Sequence, residues 1–265
     1  MMLLWRLTRG DSPLIVNVPH AGCHVPDAIL LRLRPAARAL PDTDWHVDDL
    51  YRFVPSTGAT LIAATHSRYV VDLNRDPSGA ALYPGADNTE LCPMRTFANE
   101  PIYRSGEEPG EREIAARCAT FFEPYHALIA SEIGRVRDRH GYAVLIDGHS
   151  IVAEVPRFFE GRLPDLNLGT GDGTSCDPSL QRLASDIVAG ASGLTHVVNG
   201  RFKGGYITRH YGAPQGGAHA LQLEMAQACY MDEANPGVFE PSRAAALAAV
   251  LERLVIALSE WRPRR

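Results

Sequence analysis

The sequence has no long run of lysine or arginine. Its 26 basic residues are scattered among 31 acidic ones, for a formal charge of −5 and a pI near 6.1. A nucleic-acid surface needs a dense positive stripe, so a small solute is the expected partner. No stretch reaches the ~18 apolar residues of a membrane-spanning helix. The apolar cluster within residues 1–10 is broken by Arg6 and Arg9 before the core of a signal peptide could form. Cysteine is sparse as well: Cys23, Cys92, Cys118, Cys176 and Cys229 are odd in number and contain no CxxC pair. That excludes a regular disulfide framework and fits a reducing compartment. Internal repeats and low-complexity tracts are absent. These absences predict a soluble, cytoplasmic protein.

What is present is a chain of 265 residues, 45% hydrophobic, enough to bury one substantial core. A single domain over residues 1–265 is expected. Leu14–Val18 is a β-branched run that ends at Pro19-His20-Ala21-Gly22. Residues 59–64 and 69–73 read as further strands, the second running into Asn74-Arg75-Asp76-Pro77. Asp42 and Asp44 read as caps of a helix that Gly58 stops. Residues 78–109, rich in Gly, Pro and Asn, read as a long loop forming one wall of a site.

Residues 110–139 have helical apolar spacing, with Pro124 expected to kink or split the helix. Residues 143–146 form a buried strand that delivers Asp147-Gly148-His149-Ser150 at its tip. Residues 178–189 and 241–261 read as helices, and residues 220–225 as a strand carrying Glu224 among apolar neighbours. Alternating strands and helices predict an α/β three-layer sandwich with a mixed, mostly parallel sheet.

The polar groups gather at strand exits. His20 and His149 with one carboxylate from Asp42, Asp44, Asp48 or Asp49 would make a catalytic zinc shell with a position left open for water. Glu224 is the natural base for such a water. Each residue alone has a plainer reading. A strand-end histidine is often a hydrogen-bonded structural group, and a buried glutamate is usually paired. Asp147 could orient His149 or cap a turn. His126 reads as a structural histidine. The glycine-rich residues 169–174 lack the Lys-Ser/Thr of a phosphate loop, and Ser150 lacks the Gly-x-Ser-x-Gly elbow of a serine hydrolase.

Taken together, Pro-His-Ala-Gly, Asp-Gly-His-Ser and a strand-embedded Glu, separated by 129 and 75 residues, resemble the zinc-carboxypeptidase and aspartoacylase superfamily. The likeness narrows with residues 16–22 (VNVPHAG), 42–45 (DTDW), 68–75 (RYVVDLNR), 147–150 (DGHS), 166–170 (LNLGT) and 199–209 (NGRFKGGYITR). On these the chain is similar to the N-formylglutamate amidohydrolase family.

The resemblance implies one divalent metal ion, zinc by preference and otherwise cobalt, manganese or iron, on His20, Asp44 and His149. The superfamily places a glutamate ligand three residues after the first histidine, where this chain has Cys23. Asp44 is therefore expected to supply the carboxylate, with Asp48, His46 and Cys23 in reserve. The resemblance further implies Glu224 as base and Arg68 at the oxyanion. Asn74, Arg75 and Arg209 are expected to bind substrate carboxylates; the plainer reading of Arg68 and Arg75 is a structural salt bridge to Asp72 or Asp76. The implied reaction is hydrolysis of N-formyl-L-glutamate, as in the last step of histidine degradation. The alternatives are another N-acyl amino acid or short peptide as substrate, or a non-catalytic protein that binds an acidic ligand.

Overall fold

The computed structural model describes residues 2–82, 85 and 87–264, so residues 83, 84 and 86 of the long loop lie outside the described residues. The strands are β1 (Trp5–Thr8), β2 (Leu14–Val18), β3 (Thr60–Ala64), β4 (Ala143–Ile151), β5 (Leu166–Gly169), β6 (His196–Val198) and β7 (Ala218–Ala226). They form a seven-stranded sheet in the order β1-β3-β2-β4-β7-β5-β6. The central strands β3, β2, β4 and β7 are parallel, β1 and β5 join antiparallel, and β6 runs parallel to β5. The helices are α1 (Asp27–Leu30), α2 (Val47–Leu50), α3 (Glu111–Arg117), α4 (Glu123–His140), α5 (Pro178–Ala189), α6 (Tyr206–Tyr211) and α7 (Pro241–Glu260).

The two-residue period of a strand divides the core. Leu14, Val16, Val18, Val144 and Ile146 face α5 and α7, meeting Leu180, Val188, Leu251 and Leu254. Ile15 and Leu145 face the other way, onto Ile129, Ile133 and Val136 of α4. Each such side chain, fully buried, stabilises by about 1.5–3 kcal/mol. The result is the expected three-layer α/β sandwich. No described helix is long and apolar enough to cross a membrane.

Three local expectations change. Residues 69–73 are not a strand: the Val70 N–H bonds to the Ser67 carbonyl, the Asp72 N–H to the Leu91 carbonyl, and Tyr69 and Val70 pack with Leu33, Ile102 and Tyr103. Their apolar character reflects burial in a side cluster. Strand β4 continues through Ile151, because β7 pairs with it along its whole length, so Asp147-Gly148-His149-Ser150 lies inside the strand. Asp42 and Asp44 cap no helix; α2 is a single turn entered through His46 at φ 61° with no side-chain cap. The expected break at Pro124 takes the form of a π-helical turn at Cys118–Phe122 between α3 and α4. This puts the proline in the first turn of α4, directly after the π-turn in an otherwise continuous helical run, where the altered hydrogen-bond register accommodates its missing N–H.

Candidate active site

The site lies at the carboxyl ends of the parallel strands, the usual place in an α/β sheet. The chain leaves β2 at Val18 and reaches His20, whose carbonyl accepts the Asp44 N–H at 3.1 Å. His149 on β4 is the register neighbour of Glu224 on β7. Only glycine fits at position 148, between Asp147 and His149, because a Cβ there would come 2.6 Å from the ring of Tyr51.

His20, Asp44 and His149 are buried, and one ligand atom from each lies within 4.8 Å of the others. Asp44 Oδ2 is 3.0 Å from His149 Nδ1 and 3.7 Å from His20 Nδ1. Tetrahedral zinc with bonds of about 2.0–2.2 Å sets its ligand atoms roughly 3.3 Å apart, between these two distances. His20 Nδ1 is buried without any hydrogen-bond partner, as a nitrogen turned toward an ion would be. The donor set therefore fits a divalent metal. The reserve ligands are elsewhere: Asp48 pairs with Arg6, His46 Nε2 bonds to the Pro236 carbonyl, and Cys23 is exposed.

Each imidazole is braced from behind by a carboxylate. His20 Nε2 meets Asp72 Oδ1 at 2.8 Å, and His149 Nε2 meets Asp147 Oδ2 at 2.8 Å. A carboxylate on the far nitrogen fixes the tautomer and leaves the near nitrogen free to ligate. Asp72 was visible in the sequence only as a possible salt-bridge partner. It also takes Arg68 at 2.8 Å and the Asn74 N–H. Arg68 reaches Asp44 at 3.3 Å and lies over the ring of Phe97. Burial opposes ionisation of Asp44, yet the hydrogen bond from His149 and the charges of His20 and Arg68 hold its carboxyl well below the usual range. Burial likewise works against a charged His149, but Asp147 and Asp44 raise it well above its ordinary value.

Glu224 is buried, and that burial pushes its carboxyl up to about 8. Gln222, two residues back on the same face of β7, donates to Glu224 Oε2 at 3.1 Å and accepts the Gly205 N–H at 2.6 Å. Position 205 must be glycine as well, since a Cβ would meet the Asn74 amide at 2.3 Å.

Around these groups lies a cavity with about 600 Å³ of space, part of it open to solvent. His20, Asp44, Arg68, Asn74, Arg75, His149 and Glu224 all line it. Arg209 does not. Its Nε and NH1 bond to the Gly204 and Leu82 carbonyls, and it borders a separate surface depression. The arginine of that segment that reaches the cavity is Arg201, stacked on Phe158 and Phe202. Arg201 lies in the irregular segment before α6 and Arg209 within that six-residue helix, too short a stretch for periodicity to tell the two arginines apart. His126 bonds to the Leu73 carbonyl and the Tyr211 hydroxyl, a structural role. Ser150 Oγ accepts from Tyr230 at 2.8 Å.

Fold and cavity together are those of an α/β enzyme with a buried, metal-compatible cluster at the ends of its parallel strands. Residues 12–231 match the family described as N-formylglutamate amidohydrolase. N-formylglutamate deformylase of Pseudomonas putida is 44% identical over 97% of this chain and 96% of its own length. The Pseudomonas aeruginosa protein of the same name is 47% identical over 96% and 95%. The crystal structure of N-formylglutamate amidohydrolase from Ralstonia eutropha JMP134 covers 98% of both chains with a TM-score of 0.82 at 27% identity. A gene product of Agrobacterium tumefaciens, 22% identical, shares the fold with a TM-score of 0.68 over 97% of this chain and 94% of its own. The chain belongs to the N-formylglutamate amidohydrolase family.

Proposed function

We propose that residues 1–265 form one cytoplasmic catalytic domain that hydrolyses N-formyl-L-glutamate to L-glutamate and formate, the last step of a histidine degradation pathway. The observation that carries this is the buried trio His20, Asp44 and His149, with its unpartnered imidazole nitrogen, set beside Glu224. The trio would hold one divalent ion, zinc by its donor set, with cobalt, manganese or iron also compatible. An ion held there would supply Lewis-acid chemistry, easing deprotonation of water and polarising an amide carbonyl. The positive charge of an ion on the trio would oppose the burial that raises the Glu224 carboxyl, so that Glu224 takes a proton from the attacking water and returns it to the amide nitrogen of the departing glutamate. Gln222 occupies one Glu224 oxygen and leaves the other for that transfer. Arg68, whose Nε has no partner, donates to the developing oxyanion.

The substrate has two carboxylates, and guanidinium groups bind carboxylates two oxygens at a time. Arg75 takes one. Asn74 assists it: its Nδ2 lies 3.0 Å from His149 Nε2, and the residue lines the cavity beside Arg75. Arg201 takes the second carboxylate from the aromatic side of the cavity, the task expected of Arg209.

The test is bound-metal content together with formate release from N-formyl-L-glutamate, before and after chelation and zinc replacement. One ion per chain, with activity that is lost and restored, supports the reading. Bound metal without formate release moves the search to other N-acyl amino acids, and absence of metal overturns it. Glu224→Gln is expected to keep its metal and lose turnover by about 10²–10⁴-fold.

A further inference from the structure

His149 is backed by more than one residue. Asp147 gives Oδ2 to His149 Nε2, and its other oxygen accepts from Asn17 Nδ2 at 2.8 Å. Asn17 is the register partner of Asp147 across β2 and β4. The Asn17 oxygen in turn accepts from the Tyr125 hydroxyl of α4 at 2.7 Å. Asn17, Asp147 and Tyr125 are at most 1% exposed. A string of polar groups therefore crosses from the helix layer through an apolar cluster that includes Ile15, Ile129 and Leu145, and it ends on one imidazole. Burial and the charge of Asp147 raise Tyr125 well above its ordinary range, so its hydroxyl stays a donor.

Three buried polar side chains are a poor way to stabilise a core, since apolar groups of the same shape are often as good or better. The string makes physical sense as a support. The donor order is fixed from the carboxylate end: Asp147 can only accept, which turns the Asn17 amide toward it and leaves the Asn17 oxygen as acceptor for the Tyr125 hydroxyl. That leaves Asp147 Oδ2 as acceptor for the His149 Nε2 proton.

We infer that Asn17 and Tyr125 are positioning residues for His149, holding Asp147 so that the imidazole carries its proton on Nε2 and offers Nδ1 to the metal. The inference rests on the metal reading above. Partners of this kind change metal affinity by about 10–100-fold when removed.

The experiment measures the zinc Kd of chelator-stripped protein by competition with a chromophoric chelator, for the wild type, Asn17→Leu and Tyr125→Phe. Ile129→Val, in the same apolar cluster but outside the string, controls for loosened packing. Asn17→Leu is expected to weaken zinc by about 10–100-fold, Tyr125→Phe by less, and Ile129→Val to stay within about twofold of wild type. The d–d spectrum of the cobalt-loaded Asn17→Leu protein is expected to shift. Wild-type affinity in both string variants overturns the inference, as does equal weakening in Ile129→Val. If Asn17→Leu does not fold, Tyr125→Phe decides the matter, since it removes a single oxygen. A wild-type protein that takes up no zinc overturns the metal reading, and this inference with it.

Discussion

His20 and His149 are braced in the same way and at the same distance, yet the two braces differ in kind. Behind His20 stands Asp72, in an irregular segment, with Arg68 at 2.8 Å and Arg75 at 4.0 Å to answer its charge. Behind His149 stands Asp147, inside a strand and answered only by the neutral Asn17 amide and the imidazole itself. The first brace is ionic and also serves the arginines of the cavity. The second has no arginine to answer its carboxylate, is set by sheet register, and serves the histidine alone. A carboxylate whose charge is not offset polarises its imidazole more strongly.

Replacing the two carboxylates is the strongest way to break this comparison. Asp72→Asn leaves buried Arg68 short of a partner and is expected to cost about 3–5 kcal/mol of stability in urea unfolding. Asp147→Asn, which removes a hydrogen-bonded group without stranding a cation, is expected to cost about 1–3 kcal/mol. It should instead weaken zinc by about 10–100-fold. Equal stability losses in the two variants would erase the distinction.

Acid is expected to loosen the irregular side first. His126 holds the Leu73 carbonyl, next to Asp72, and burial pushes its pKa down to about 4 from an ordinary 6.5. The unfolded chain therefore takes up this proton before the folded one. Stability falls as the pH drops from about 6.5 to about 4 and levels off below, by at most about 3 kcal/mol from this group. Unfolding of the wild type and of His126→Gln at pH 7 and pH 5 measures it. The same pH dependence in both would exclude His126 as the source.

The smallest effect expected is at the far end of the cavity. Arg75 leans on Asp72, whereas Arg201 lies against Phe158 and Phe202. Arg201→Met is therefore expected to spare zinc affinity and raise KM for N-formyl-L-glutamate by about 10–100-fold, roughly 1.4–2.7 kcal/mol. It should also remove the preference for that substrate over N-formyl-L-glutamine. An unchanged ratio between the two substrates would detach Arg201 from the second carboxylate.

What could be read from sequence follows the same division. The strand of His20, the helix at Pro178–Ala189 and the strand around Glu224 were visible because local apolar periodicity marks them. The short outer strands β1, β5 and β6 were not, since three or four residues carry too little pattern. Residues 69–73 misled because burial in a side cluster looks like a strand when read locally. His20, His149 and Glu224 stood out as polar groups in apolar runs. Asn17 and Tyr125 did not: an asparagine in a strand and a tyrosine in a helix acquire their meaning only from pairing across 130 and 108 residues of sequence.

The matching of Asn17 to Asp147 and of His149 to Glu224 on neighbouring strands also bears on how the protein comes to hold its ion. A slip of one residue between β2 and β4 would turn every side chain of the slipped strand to the opposite face, and Asn17 would then face α5 and α7. On the metal reading proposed above, high-affinity zinc uptake would require three strands distant in sequence to have closed in their final alignment. Metal capture would then be a late event in folding, a seal on a finished sheet, and its stabilising effect would fall only on correctly registered chains.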